Sequence, residues 1–392
     1  MENFEFCLPT KVVFGKDTAS SAGKLIKDAG CKKVLIVFGS DRIKKDGLLD
    51  TVERSLIENG ISYEEFGGVK PNPLLSHARD GVKKALEFKA DLILAIGGGS
   101  VIDTAKGIAH GAANKDSDLW DIWTKKAPIV STLPVGAILT IPAAGSEMSD
   151  SAVLTNEETG QKLGINTEFN RCLFAIEDPS LGQTLPQWQL KNGIVDIMMH
   201  TMERYFIPGI TADLTDRIAE GVLKTTRDCG LKVLKDQSDQ DAMADLWWCS
   251  SLSHNNLTEC GRGKDFSVHK IGMALSAFFD YTHGATLSAV WASWARYLYK
   301  DCIGRFAQYA RMVWDIKEDG DEKAAIAGIE ATEEFFRSVE MPVSLEELGL
   351  KDPDDDTLRK LAMHATINDT VRLSRIRPLD ASDIVEIYRM AK

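Results

Sequence analysis

The stretch DLILAIGGGSVIDTAKGIAHGAAN (residues 91–114) decides the fold. Its apolar opening reads as a buried strand, Gly97, Gly98, Gly99 and Ser100 form a turn, and the remainder from Val101 to Asn114 reads as a helix. Backbone without Cβ atoms approaches a phosphate closely, and the free N–H groups and positive dipole of a helix start favour an anion. The spacing is neither the G-x-G-x-x-G dinucleotide fingerprint nor a P-loop with its Lys-Ser/Thr ending. A tight turn packing strand on helix is the competing account. Three successive glycines favour a phosphate-bearing ligand instead.

Outward from that stretch, the first half of the chain alternates. KKVLIVFGS (32–40) reads as a buried strand, DGLLDTVERSLIENG (46–60) as an amphipathic helix ending at glycine, and ISYEEF (61–66) as a short strand. LLSHARDGVKKALEFKA (74–90) reads as a helix after the GGVKPNP turn (67–73), and GAILTIPAAGSE (136–147) as one more strand and loop. This β-α-β-α-β order implies a mainly parallel sheet covered by helices on both faces. After EDPSLGQTLP (177–186) the strands stop. The rest reads as helical, with Trp247, Trp248, Trp291 and Trp294 on buried faces and MPVSLEELGL (341–350) as a loop between helices. The expected organisation is an α/β dinucleotide-binding domain over residues 1–183 and an all-α domain over 184–392, with the ligand site in a cleft between them.

The composition narrows the function. A chain of 392 residues with 44% hydrophobic and 27% charged residues is an ordinary globular protein. Its net charge of −12 argues against a nucleic-acid partner, since neutralising phosphates needs clustered Lys and Arg. There is no signal peptide and no apolar run of about 18 residues, so the expectation is a cytoplasmic protein with no membrane partner. The seven cysteines are scattered and never spaced C-x-x-C, which fits reduced thiols.

A second stretch, GIVDIMMHTMERYF (193–206), is mostly apolar yet places Asp196, His200, Glu203 and Arg204 on one narrow face of a helix. One account is an amphipathic helix whose stripe faces water. The other is a buried helix whose carboxylate and imidazole converge on a metal. GRGKDFSVHKIGMALSAFFDYTHGATLSAV (261–290) supplies His269 in the first turns of a helix for which Asp265 is a plausible N-cap. It also supplies His283 at the turn opening the next helix. Three imidazoles and a carboxylate suit a divalent transition metal with room for a substrate oxygen. His77, His110, His254 and His364 read as ordinary hydrogen-bonded residues. Spacing alone leaves open whether 196–200 meets 269–283.

With these residues in view, the chain resembles the iron-containing alcohol dehydrogenase family, most closely its butanol-dehydrogenase-like and NADPH-dependent aldehyde reductase branch. The resemblance runs nearly end to end through PTKVVFGK (9–16), EFGGVKPNP (65–73), AIGGGSVIDTAKGIA (95–109), LTIPAAGSEMS (139–149), NGIVDIMMHTMERY (192–205) and DYTHGATLSAV (280–290). It implies a dehydroquinate-synthase-like architecture with a Rossmann-like first domain, and a homodimer. It implies that Asp196, His200, His269 and His283 ligate one Fe2+, and that catalysis runs through that metal. It implies that Gly97, Gly98, Gly99, Ser100 and Asp103 hold the pyrophosphate and nicotinamide side of NAD(P), with Asn72, Thr140, Ser149 and Lys162 as further cofactor-lining positions.

Two departures stand out. Where many members carry a further histidine for proton transfer, this chain has Met273, which cannot shuttle a proton. In VFGSDRIKKDG (37–47), the nearest branch has a glycine-rich GGGS that admits the NADP 2′-phosphate, whereas this chain reads Gly39, Ser40, Asp41, Arg42. Asp41 would repel that phosphate, while Ser40, Arg42 and Lys44 would bind it. Gly39 and the Ile43–Lys45 segment match the NADP-using relatives, and the expectation is NADP(H) over NAD(H). The expected reaction is hydride transfer between NAD(P)(H) and a small to medium primary alcohol or aldehyde. The histidine and carboxylate ligands would also accept zinc or another divalent metal. A glycerol-dehydrogenase-like or dehydroquinate-synthase-like enzyme, and a catalytically silent NAD(P)-binding protein, are the alternatives.

Overall fold

The computed structural model describes all 392 residues. They form two compact units, one of Cys7–Leu185 and one of Pro186–Lys392 together with Met1–Phe6.

The first unit is built on strands β1 (Lys11–Phe14), β2 (Lys33–Phe38), β3 (Ser62–Phe66), β4 (Leu92–Gly97), β5 (Val135–Leu139), β6 (Ser151–Asn156), β7 (Gln161–Asn166) and β8 (Phe174–Glu177). Its helices are α1 (Ala22–Asp28), α2 (Arg42–Lys45), α3 (Leu48–Glu58), α4 (Leu75–Phe88), α5 (Gly99–Ala113) and α6 (Leu119–Trp123). Six strands make one sheet in the order β1-β8-β5-β4-β2-β3, every pair parallel. The central strands β2 and β4 are continuous apolar runs, VLIVF and LILAI, and are buried on both faces. The edge strand β3 tolerates Glu64 and Glu65 because its flank meets solvent. A separate antiparallel hairpin pairs β6 with β7.

The strand order bears on where a ligand would bind. From β2 the chain goes outward to β3 and then returns to the other side of β2 to form β4. The direction of winding therefore reverses between β2 and β4, whose ends lie side by side with Phe38 paired to Ile96. Open parallel sheets bind ligands at the carboxyl ends of the strands at such a reversal. Gly39 and Gly97 follow there.

The second unit is helical: α7 (Gln187–Tyr205), α8 (Asp213–Lys235), α9 (Gln240–Ser253), α10 (Ser267–Phe279), α11 (His283–Leu298), α12 (Ile303–Val313), α13 (Asp321–Ser338), α14 (Leu345–Leu348), α15 (Asp355–Ala365) and α16 (Ala381–Met390). Helix α7 follows Pro186 and ends before Pro208, whose ring cannot continue a helix. It is buried from Gly193 through Tyr205 without interruption, as a helix apolar nearly all round must be.

Several local expectations are corrected. The helix after the glycine loop starts at Gly99, so Gly99 and Ser100 belong to its first turn. Trp248 is 40% exposed, unlike Trp247, Trp291 and Trp294, because its side of α9 faces outward. Asp265 is not the N-cap of α10; Phe266 holds that place in a left-handed conformation, while Asp265 accepts from the Ser267 N–H and reaches Ser374 and the Arg375 backbone. The 341–350 loop contains the short helix α14. No helix is long and apolar enough to cross a membrane.

Candidate active site

In the helical unit, the polar stripe of α7 does not face water. Asp196, His200, Glu203 and Arg204 are all at most 5% exposed. The alternation of the sequence explains this: with Ile194, Val195, Ile197, Met198, Met199 and Met202 filling the remaining circumference, α7 is enclosed on every side. The stripe needs polar partners from its neighbours, and α10 and α11 bring them.

Asp196 Oδ1 lies 3.4 Å from His200 Nε2, 3.6 Å from His269 Nε2 and 3.8 Å from His283 Nε2. The ligand atoms of Asp196, His200 and His269 all fall within 4.8 Å of one another. Asp196 Oδ1 and His269 Nε2 are buried and have no hydrogen-bond partner in the protein. Buried polar atoms are almost always paired, so a pair of orphans pointing at one spot fits a cation between them. The donors are imidazole nitrogens and one carboxylate oxygen, a set suited to first-row divalent metals. His283, with its side chain 30% exposed, stands at the open side of the cluster.

Around these four, the structure shows partnerships that the sequence could not. Glu203 pairs with His269 Nδ1 through one oxygen and accepts the His269 backbone N–H at 2.9 Å through the other. Sequence places Glu203 on the stripe but cannot show that a residue 66 positions later docks on it. Burial works against a charged His269 imidazole, yet the Glu203 and Asp196 carboxylates outweigh it and hold the ring's pKa up at about 9. His200 is pushed the other way, well below the usual histidine value, by burial and by the neighbouring imidazoles. One of those neighbours is His254, stacked on His200 with ring centroids 4.0 Å apart, so this histidine belongs to the surroundings of the cluster. His110 is an ordinary core residue bonded to Asn170 at 2.8 Å, while His77 stacks on Phe66 and His364 packs against Phe278. Met273 is buried on α10.

Asn192 fastens α11 to α7. Its Oδ1 accepts the Ala285 N–H at 2.9 Å while its amide donates to Trp188 O at 2.7 Å. The two helices touch through Gly284, where a Cβ would come within 2.5 Å of the Asn192 carbonyl oxygen. A Gly284→Ala substitution must therefore push the start of α11, and His283 with it, away from Asp196. The expected result is a loss of about 1–3 kcal/mol in stability, read by thermal denaturation, together with weaker metal retention. A cavity of about 560 Å³ adjoins this helix start, with Trp188, Tyr281, Met341, Pro342 and Leu348 among its walls.

In the α/β unit, the glycine loop caps β4. Gly98 is the N-cap of α5, so the N–H groups of Gly99 and Ser100 have no preceding helical carbonyl. The Thr140 N–H binds the Gly97 carbonyl at 3.1 Å, which sets the end of β5 beside the loop. Asp103 is occupied by the protein itself: one oxygen accepts from Ser146 Oγ at 2.7 Å, the other from the Val153 N–H at 3.0 Å. Ser149 is buried and bonds within its own loop. Asn72, in a left-handed conformation, accepts from Lys162 Nζ at 2.8 Å. Gly39, Ser40 and Asp41 follow β2 at the winding reversal.

Lys106, which no pattern in the sequence marks out, also lies beside the 146–151 loop. Its side chain is fully buried and donates to Ser146 O and Ser151 O at 2.7 Å each, tying the 146–151 loop to α5. Replacing it with methionine strips a charged donor from buried carbonyls. The expected cost is about 1–3 kcal/mol, with a raised KM for coenzyme, checked by denaturation and steady-state kinetics.

A helix that opens at a parallel-sheet reversal, in one chain with a buried Asp196-His200-His269 cluster that has His283 at its open side, is an arrangement suited to a metal-dependent dinucleotide enzyme. Comparison with known proteins agrees. Residues 9–179 match the family Iron-containing alcohol dehydrogenase, and residues 191–392 match the Fe-containing alcohol dehydrogenase family, C-terminal. The chain is 38% identical over 391 residues to NADH-dependent butanol dehydrogenase A of Clostridium acetobutylicum, covering 99% of each. It is 36% identical over 352 residues to the NADPH-dependent aldehyde reductase YqhD of Escherichia coli, covering 89% of this chain and 90% of that one. The crystal structure of NADH-dependent butanol dehydrogenase A from Thermotoga maritima superposes with a TM-score of 0.95 at 36% identity, covering 100% and 99% of the two chains. The protein belongs to the iron-containing alcohol dehydrogenase family and is an oxidoreductase.

Proposed function

We propose that this chain interconverts small to medium primary alcohols and aldehydes, coupled to NAD(P)(H), at one divalent metal held by Asp196, His200, His269 and His283. The observation that carries this reading is the pair of buried, partnerless ligand atoms on Asp196 and His269 among three imidazoles. Family membership supports ferrous iron as the metal, and the donor set also accepts zinc. When bound, the cation acts as a Lewis acid toward the substrate oxygen and the dinucleotide supplies or accepts a hydride.

The chain's own residues do the rest. Asp196 contributes the anionic charge among the four ligands, so the centre stays net positive. Glu203 holds the His269 ring with Nε2 directed at the cluster. Asn192 keeps the start of α11, and thus His283, against α7. The N–H groups opening α5 receive the pyrophosphate, with Asp103 and Lys106 holding the 146–151 loop beside it. Asn72, Thr140, Ser149 and Lys162 complete the cofactor surroundings in this reading. Met273 offers no proton, so exchange with the substrate hydroxyl falls to water, a sugar hydroxyl or another side chain. A homodimer in the cytoplasm completes the proposal, supported by the family resemblance and by seven unbonded cysteines.

The test is anaerobic butanal reduction, followed by loss of NADH or NADPH absorbance, with enzyme stripped by chelator and reloaded with ferrous iron or zinc. Metal-restored turnover is expected. Tight coenzyme binding without turnover on any metal would mark a catalytically silent binder instead.

A further inference from the structure

The two ends of the neighbouring strands β2 and β3 form a charged pocket that the metal and the glycine loop leave unexplained. A cavity of about 540 Å³ is lined by Gly39, Ser40, Asp41, Lys44, Glu65 and Gly68, among others. Its walls are held by the pairing of Val37 with Phe66 and by the Gly68 N–H donating to the Gly39 carbonyl at 2.9 Å. Within it, Lys44 Nζ lies 2.5 Å from Glu65 and 4.0 Å from Asp41, above the Phe38 ring. The other nearby cation, Arg42, is turned aside: it bonds Asp46 at 3.0 Å and Thr184 Oγ1 at 2.7 Å.

The position identifies what would enter. With a pyrophosphate on the start of α5, the sugar on one side of it lies over the end of the adjacent strand, which is β2. The pocket thus faces the 2′ position of a ribose. That position is a hydroxyl in NAD(H) and a phosphate dianion in NADP(H). Asp41, Lys44 and Glu65 together carry one net negative charge there, since two carboxylates flank one ammonium. Glu65 also raises the pKa of Lys44, chiefly through their hydrogen bond, so the ammonium stays protonated at neutral pH.

We propose that Glu65, by occupying Lys44, is a specificity-determining residue that works with Asp41 to select NADH over NADPH. The proposal rests on the dinucleotide-binding reading above. It reverses the NADP(H) preference expected from Gly39 and Ile43–Lys45, because the lysine that would meet a 2′-phosphate already meets a carboxylate. Carboxylates serve the other coenzyme, accepting hydrogen bonds from a ribose diol.

The experiment compares kcat/KM for butanal reduction with NADH and NADPH, and measures both dissociation constants from reduced-nicotinamide fluorescence. Wild type, Glu65→Gln, Asp41→Ser and the double variant Glu65→Gln/Lys44→Met are used, each checked for folding by circular dichroism. Wild type should favour NADH. Glu65→Gln should move the NADPH/NADH ratio about tenfold toward NADPH, the effect of removing one charge about 6 Å from a dianion in a watery site. Asp41→Ser should shift it the same way, and adding Lys44→Met should cancel the gain from Glu65→Gln. A wild type that prefers NADPH, a ratio unmoved in both single variants, or a gain that survives loss of Lys44 would each overturn the proposal. If no variant turns over aldehyde, the catalytic reading fails, and the two dissociation constants still decide the question of coenzyme choice.

Discussion

Replacing Asp196 with alanine is expected to leave a folded chain that still binds coenzyme but reduces aldehydes at least about a thousandfold more slowly. The magnitude follows from losing several kcal/mol of Lewis-acid stabilisation, each 1.36 kcal/mol being about tenfold in rate. The geometry makes Asp196 the residue to remove. One oxygen of its carboxylate lies within 3.8 Å of imidazole nitrogens from three different segments of the chain, on α7, α10 and α11. It is also the single anion among the four. Three imidazoles left alone would present only neutral nitrogens to a doubly charged cation, and the affinity should fall steeply. Competition with a fluorescent chelator measures the affinity, and steady-state kinetics measures the rate. Equal rates for wild type and variant at saturating metal would sink the assignment of Asp196.

Changing Glu203 to glutamine is expected to weaken metal binding about 10–100-fold, the usual effect of removing a carboxylate that orients a ligating histidine. Glu203 touches no substrate in this account; it is a positioning residue acting through His269. Both of its oxygens are used on His269, one at the ring and one at the backbone. Glutamine keeps the shape and the backbone contact but carries no charge to set the ring tautomer. The distinguishing signature is a shift in metal dissociation constant with coenzyme affinity unmoved, because coenzyme contacts are assigned to the other unit. Raised metal concentration should restore most of the rate. A variant that loses rate without losing metal would assign Glu203 a different role.

How much of this was legible beforehand depends on the range of the interaction. LILAI and VLIVF announce central parallel strands because both faces are buried and nothing polar interrupts them. Strands β1 and β8, KVVF and FAIE, are four residues long and carry no period to read. The β6–β7 hairpin went unread because SAVLTN and QKLGIN contain hydroxyls, amides and a glycine, and become strands only by pairing with each other. Helix α7 was legible as a helix with a stripe, but whether the stripe met water or imidazoles depended on segments some 70 to 90 residues later. The same holds for Lys44. Sequence shows a lysine near a glycine turn, and only the register of β3 against β2 puts Glu65 on it. His254 looked ordinary because its neighbour His200 is 54 residues earlier in the chain.

The central claim is that one divalent cation, held by Asp196, His200, His269 and His283, enables the reaction. The most direct measurement is a titration of chelator-stripped protein with ferrous iron under anaerobic conditions, following bound metal by mass spectrometry and butanal reduction in the same samples. The account predicts negligible turnover in the stripped protein and activity rising in proportion to bound iron until one ion is held per chain. Full turnover by the metal-free protein, or turnover unrelated to bound metal, would contradict it.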